Sequence, residues 1–137
     1  MPLICFASPK GGVGKTTLAA NLADALQRAG RRVLVMDFDP QNTLRLHFGV
    51  PLTDMGGFTA DLPRRPDWRS CVRETASGVM VLPHGATELR GALGLAAALE
   101  RDPDLLAAPM RAILADPGLT VIADTSPGPS HALAVLV

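Results

Sequence analysis

The chain has 137 residues, 47% of them apolar and 19% charged, which is enough to bury a core and excludes disorder as its overall state. Thirteen Lys plus Arg balance thirteen Asp plus Glu, so no net field draws the chain to nucleic acid or anionic lipid. Cys5 and Cys71 are too few for a disulfide framework and lack metal-ligand spacing, and no apolar run reaches the roughly 18 residues of a membrane span.

Leu3 to Ser8 (LICFAS) reads as a buried strand, ended by Pro9 and glycines. Lys15 to Ala29 predicts a helix, with Leu18, Leu22 and Leu26 on its packed face and Gly30 as its stop. The run VLVMD that follows Arg31 and Arg32 is a second buried strand. The opening is therefore a βαβ unit, which implies a parallel sheet and a right-handed crossover.

Asn42 to Phe48 is expected to be a short helix. Val50 to Ser70 is rich in Pro and Gly and reads as an irregular excursion, with one short helix near Asp67 to Arg73. Val79 to Leu82 is a third strand, stopped by Pro83. Thr87 to Arg101 is Ala/Leu-rich and helical, weakened by Gly91 and Gly94. Pro103 opens another helix towards Ala115, which Pro109 should kink or split. Leu119 to Ala123 is a fourth strand, and Ser130 to Val137 opens a further helix. This order predicts a doubly wound α/β layer, in which ligands bind at the carboxyl ends of the strands.

Three motifs fall at such strand ends. The first is Lys10-Gly11-Gly12-Val13-Gly14-Lys15-Thr16-Thr17, between a strand and a helix. Its glycines let backbone N–H groups turn inward around phosphate oxygens, and the helix N-terminus adds partial positive charge. Lys15 suits the β- and γ-phosphates, Thr16 suits Mg²⁺, and Thr17 can donate to the α-phosphate. Pro9 stands where the standard phosphate-loop pattern wants glycine. Eleven of the basic residues are Arg, and the only two Lys, Lys10 and Lys15, share this loop. That bias fits a need for compact ammonium groups there. The second motif is Asp37-Phe38-Asp39-Pro40-Gln41. Alone, its two carboxylates equally fit a capped turn after a strand. The third is Val121-Ile122-Ala123-Asp124-Thr125-Ser126-Pro127-Gly128, apolar residues followed by an Asp in the manner of a Walker B strand.

The run KGGVGKTT, with its early Lys10, resembles the deviant Walker A motif of the ParA/MinD-type ATPases. The resemblance implies a P-loop NTPase fold, a parallel β-sheet flanked by helices, that binds ATP and Mg²⁺ and hydrolyses ATP slowly. It also implies a nucleotide-sandwich homodimer in which Lys10 reaches the partner copy's phosphates. Asp37-Phe38-Asp39-Pro40-Gln41 is similar to that family's switch I segment. By that likeness Asp39 activates the attacking water and Asp37 supports the Mg²⁺ shell. Asp124 would hold Mg²⁺ through a water, and Gly128 would mark switch II. The expected catalytic residues are thus Lys10, Lys15 and Asp39. Gly11, Gly12, Val13, Gly14, Lys15, Thr16 and Thr17 are the expected nucleotide cradle, and Thr16, Asp37 and Asp124 the metal site.

A narrower resemblance, carried by Asn42 to Val50, by Asp67-Trp68-Arg69 and by Leu82-Pro83-His84-Gly85, is to the cellulose-biosynthesis BcsQ (YhjQ) branch. It implies components of the cellulose synthase complex as partners, and a cytoplasmic protein peripheral to the inner membrane through them. The alternative is a chromosome- or plasmid-partition or division-site positioning ATPase, although no DNA-binding patch is evident. An iron-protein reductase on the same scaffold would need cysteines at the dimer axis, where neither Cys5 nor Cys71 is expected. Residues 1–137 read as a single P-loop ATPase domain that stops after the Walker B region, with strand one left at a sheet edge. His47, His84 and His131 share no ligand spacing, and Trp68 is expected to anchor the irregular segment.

Overall fold

The computed structural model describes residues 3–8, 14–126, 134 and 136. Strands β1 (Leu3–Phe6) and β2 (Arg32–Asp37) are linked by helix α1 (Lys15–Arg28). A 3₁₀ turn over Leu44–Phe48 and another over Leu62–Arg64 lead to the short helix α2 (Trp68–Cys71). Then come β3 (Arg73–Glu74), β4 (Met80–Leu82), α3 (Leu89–Arg101), α4 (Asp104–Leu114) and β5 (Leu119–Asp124). Among the described residues the sheet order is β1-β5-β2-β4-β3. All neighbours run parallel except β3, which pairs antiparallel with β4. The four predicted strands are present in a parallel array. The two-residue β3 was not foreseen, because Arg73 and Glu74 carry no alternating pattern.

Alternation along the strands divides the core into two layers. Leu34, Met36, Leu82, Leu119, Val121 and Ala123 face one side, where they meet Leu99 of α3 and Leu106, Met110 and Ile113 of α4. Val33, Val35, Val81 and Ile122 face the other and meet α1. Helices therefore cover both faces, as in a doubly wound layer.

Two expectations are corrected. Leu18 is 58% exposed, and Leu22 and Leu26 are only half-buried. Helix α1 instead packs through Ala19, Ala20 and Ala23, which are buried. Small side chains bring the helix axis close to the sheet, so the leucines flank the contact. Pro109 does not split α4, which runs unbroken through it. Burial of Leu105, Leu106, Met110 and Ile113 holds the helix together across the missing N–H. Trp68 behaves as the expected anchor: it is partly buried against the core, and the Arg69 guanidinium lies 4.6 Å from its ring centroid. The predicted helix at 130–137 lies outside the described residues except for Ala134 and Leu136, both helical.

Candidate functional site: a cation and two carboxylates at the sheet edge

The site is built where α1 begins and where β2 and β5 end. Gly14 precedes the helix with φ +78°, a left-handed conformation that glycine adopts without penalty. Helical spacing then puts Lys15 on the same stripe as the buried Ala19 and Ala23. That stripe faces the sheet, so the Lys15 ammonium is turned inward and is 8% exposed. It forms a buried ion pair with Asp124, the last residue of β5. Thr16 donates its hydroxyl to the other oxygen of the same carboxylate at 2.7 Å. Thr17 is exposed in the first turn. Lys10, Gly11, Gly12, Val13 and Gly128 lie outside the described residues.

Asp37 ends β2 directly beside Asp124 in the strand register. It is 1% exposed and accepts backbone N–H groups from Asp39 at 2.9 Å and Leu44 at 3.2 Å. Burial pushes its pKa up to about 7, against the pull of those hydrogen bonds and helped by the neighbouring Asp124 charge. Asp39 is half-exposed, and its carboxylate accepts the Gln41 N–H at 3.0 Å. The structure thus brings Lys15, Thr16, Asp124 and Asp37 together, with Asp39 in the turn beyond them.

Residues that sequence reasoning passed over close the back of the site. Thr125 donates both its N–H and its hydroxyl to the Phe6 carbonyl, at 3.1 and 2.8 Å, and so ties the end of β5 to β1. Thr59 donates to the Asp37 carbonyl at 3.3 Å. His84 is 2% exposed, and burial pushes its pKa down. A single Thr or His carries no spacing signal, so these contacts could not be read from the chain.

The donor set fits Mg²⁺. Hydroxyl and carboxylate oxygens are hard ligands, and this ion takes much of its shell from water and phosphate. A cation beside Asp37 would also oppose the burial that favours its protonated form. Among the described residues no cluster of three or more His, Cys, Asp or Glu is placed to hold a metal ion. No helix of the described residues is long and apolar enough to cross a membrane.

A family model described as "Cellulose biosynthesis protein BcsQ" matches residues 1–123. The BcsQ protein of Salmonella typhimurium is 40% identical over 85 residues, 62% of this chain and 34% of that protein. A crystal structure of cobyrinic acid a,c-diamide synthase from Mycobacterium smegmatis, with bound ATP analogue and magnesium, superimposes with a TM-score of 0.78 at 27% identity. That match covers 97% of this chain and 54% of the other. The MinC:MinD complex of Aquifex aeolicus shares the fold, with a TM-score of 0.75 at 23% identity over 100% of this chain and 52% of that one. The chain therefore spans about a third of the curated relatives it matches and about half of these solved structures. Its sheet and these likenesses agree: the chain belongs to the cellulose biosynthesis protein BcsQ family.

Proposed function

We propose that this chain binds ATP with Mg²⁺ between β1 and α1, hydrolyses it slowly, and acts as a nucleotide-dependent dimeric switch in bacterial cellulose biosynthesis. The convergence of Lys15 and Thr16 with Asp124 and Asp37 carries the reading. It gathers the charge and oxygen ligands that phosphoryl transfer needs, and that reaction depends on positioning and electrostatics more than on covalent help. The Mycobacterium smegmatis relatives with bound ATP analogue or ADP and magnesium, at 27% and 28% identity, support the cofactor assignment. The cellulose pathway follows from the family description.

Mg²⁺, when bound, supplies charge neutralisation at the β- and γ-phosphates. Lys15 holds those phosphate oxygens, while the backbone N–H groups of Gly11, Gly12, Val13 and Gly14 cradle them. Thr17 donates to the α-phosphate. Thr16 would hold the cation directly, and Asp37 and Asp124 would hold it through water. Asp39 orients the attacking water. Lys10 acts across the dimer on the partner copy's nucleotide. Partners are a second copy and components of the cellulose synthase complex, met in the cytoplasm at the inner membrane.

The test is a titration with a fluorescent ATP analogue in the presence and absence of Mg²⁺. Saturable binding is expected to disappear in Lys15→Ala. It is expected to lose its Mg²⁺ dependence in Thr16→Ala, which keeps the Lys15–Asp124 pair. Unchanged affinity in both variants refutes the assignment.

A further inference from the structure

Asp39 can orient a water only if its turn is held in place, and the turn cannot hold itself. Pro40 and Gln41 are exposed and bury nothing. The placement of the turn is therefore decided at its two ends. At the first, the Asp39 N–H donates to the Asp37 carboxylate. At the second stands Asn42, which is 5% exposed and has φ +57°.

We propose that Asn42 is a positioning residue for hydrolysis, whose carboxamide straps the turn carrying Asp39 to the backbone that follows β4. The inference rests on the ATPase reading above and adds to it. Four hydrogen bonds carry it. The Asn42 N–H donates to the Asp39 carbonyl at 2.9 Å and closes the turn. The Asn42 side-chain oxygen accepts the Gly85 N–H at 3.1 Å. The Asn42 carbonyl accepts from Arg45 Nε at 3.1 Å, and the same guanidinium, itself buried, donates to the Pro51 carbonyl at 2.7 Å.

The strap ends on a firm anchor. Gly85 has φ +91° and lies against Gly57, so tightly that a Cβ on Gly57 would stand 2.1 Å from the Gly85 nitrogen. Around that contact, residues 55–60 run beside residues 83–86. Phe58 donates to Pro83 at 2.9 Å, Ala60 to His84 at 2.8 Å, and Ala86 to Met55 at 3.0 Å. Asn is suited to its position on two counts. It tolerates the left-handed region, and its side chain offers the acceptor that the Gly85 N–H needs. Glycine would keep the first property and lose the second; aspartate would keep both.

The experiment compares Asn42→Gly and Asn42→Asp with the unsubstituted intact protein. It measures steady-state ATP hydrolysis, affinity for a fluorescent ATP analogue, and hydrogen exchange at the Gly85 amide. Asn42→Gly should lower kcat by roughly 10- to 100-fold, because the reacting geometry is loosened while the phosphate cradle is not. Its nucleotide affinity should stay within about threefold, and Gly85 exchange should accelerate. Asn42→Asp should recover most of the turnover and the protection. Wild-type kcat in Asn42→Gly, or equal losses of binding and turnover without rescue by Asn42→Asp, would overturn the proposal. If the unsubstituted protein binds no ATP, the ATPase reading falls, and the strap is then judged by exchange alone. Lost Gly85 protection in Asn42→Gly upholds it, and unchanged protection overturns it.

Discussion

The Lys15–Asp124 pair offers a direct test of how the site is built. Its side chains are 8% and 1% exposed, so neither charge has water to fall back on. Removing one partner of such a pair leaves an uncompensated buried charge, which costs about 3–5 kcal/mol. Lys15→Met keeps most of the apolar stem and removes the ammonium. Asp124→Asn keeps an acceptor for the Thr16 hydroxyl and removes the carboxylate. Each variant should lose about 3 kcal/mol, close to the low end of that range. For a chain of 137 residues, at about 4 °C per kcal/mol, that is a fall in Tm of roughly 12 °C. The double variant buries no charge at either position. Its loss should fall short of the sum of the single losses by about 2 kcal/mol. Urea denaturation followed by far-ultraviolet circular dichroism, without nucleotide and at one pH, measures all four corners of the cycle. Losses that add to within about 0.5 kcal/mol would refute the argument, since the two charges would then not be coupled.

Two further predictions concern Asp37 and the Gly57–Gly85 contact. Asp37 has its pKa raised from the ordinary 3.8 to about 7, so the folded chain binds a proton more tightly than the unfolded one. The stability this contributes is present below 3.8 and is lost as pH rises towards 7, by up to about 4 kcal/mol. Without Mg²⁺ or nucleotide, the stability difference between wild type and Asp37→Asn should shift in favour of the variant across that window, and a pH-independent difference would contradict it. Gly57→Ala should destabilise by about 1–3 kcal/mol, because its Cβ would be 2.1 Å from backbone that has no flexible end to move. A variant with the wild-type denaturation midpoint would show that residues 55–60 do not pack on Gly85.

Much of the fold was legible because its signals are local. The apolar runs at 33–36 and 119–123 were legible as buried strands, and both lie inside the sheet. The phosphate-loop pattern, the Asp37–Asp39 segment and Asp124 were found where strands end, and four of the predicted residues do meet there. The misjudged features depend on partners distant in the chain. Leucine periodicity pointed to the wrong stripe of α1, because closeness to the sheet selects alanine over leucine. Pro109 looked disruptive because its cost is local, whereas the burial that outweighs it is tertiary.

Which groups are available, and that a helix sets Lys15 on one stripe with Ala19 and Ala23, follow from residue identity and a 3.6-residue period. How these groups meet depends on the folded sheet, in which β5 lies between β1 and β2. That order sets Asp37 beside Asp124 and raises one carboxyl by burial, while the pairing of β2 with β4 brings Asn42 to Gly85. Strand order and strap alike are pairings between segments far apart in the chain, and a side chain's neighbours across such a pairing are chosen by the packing of the whole sheet.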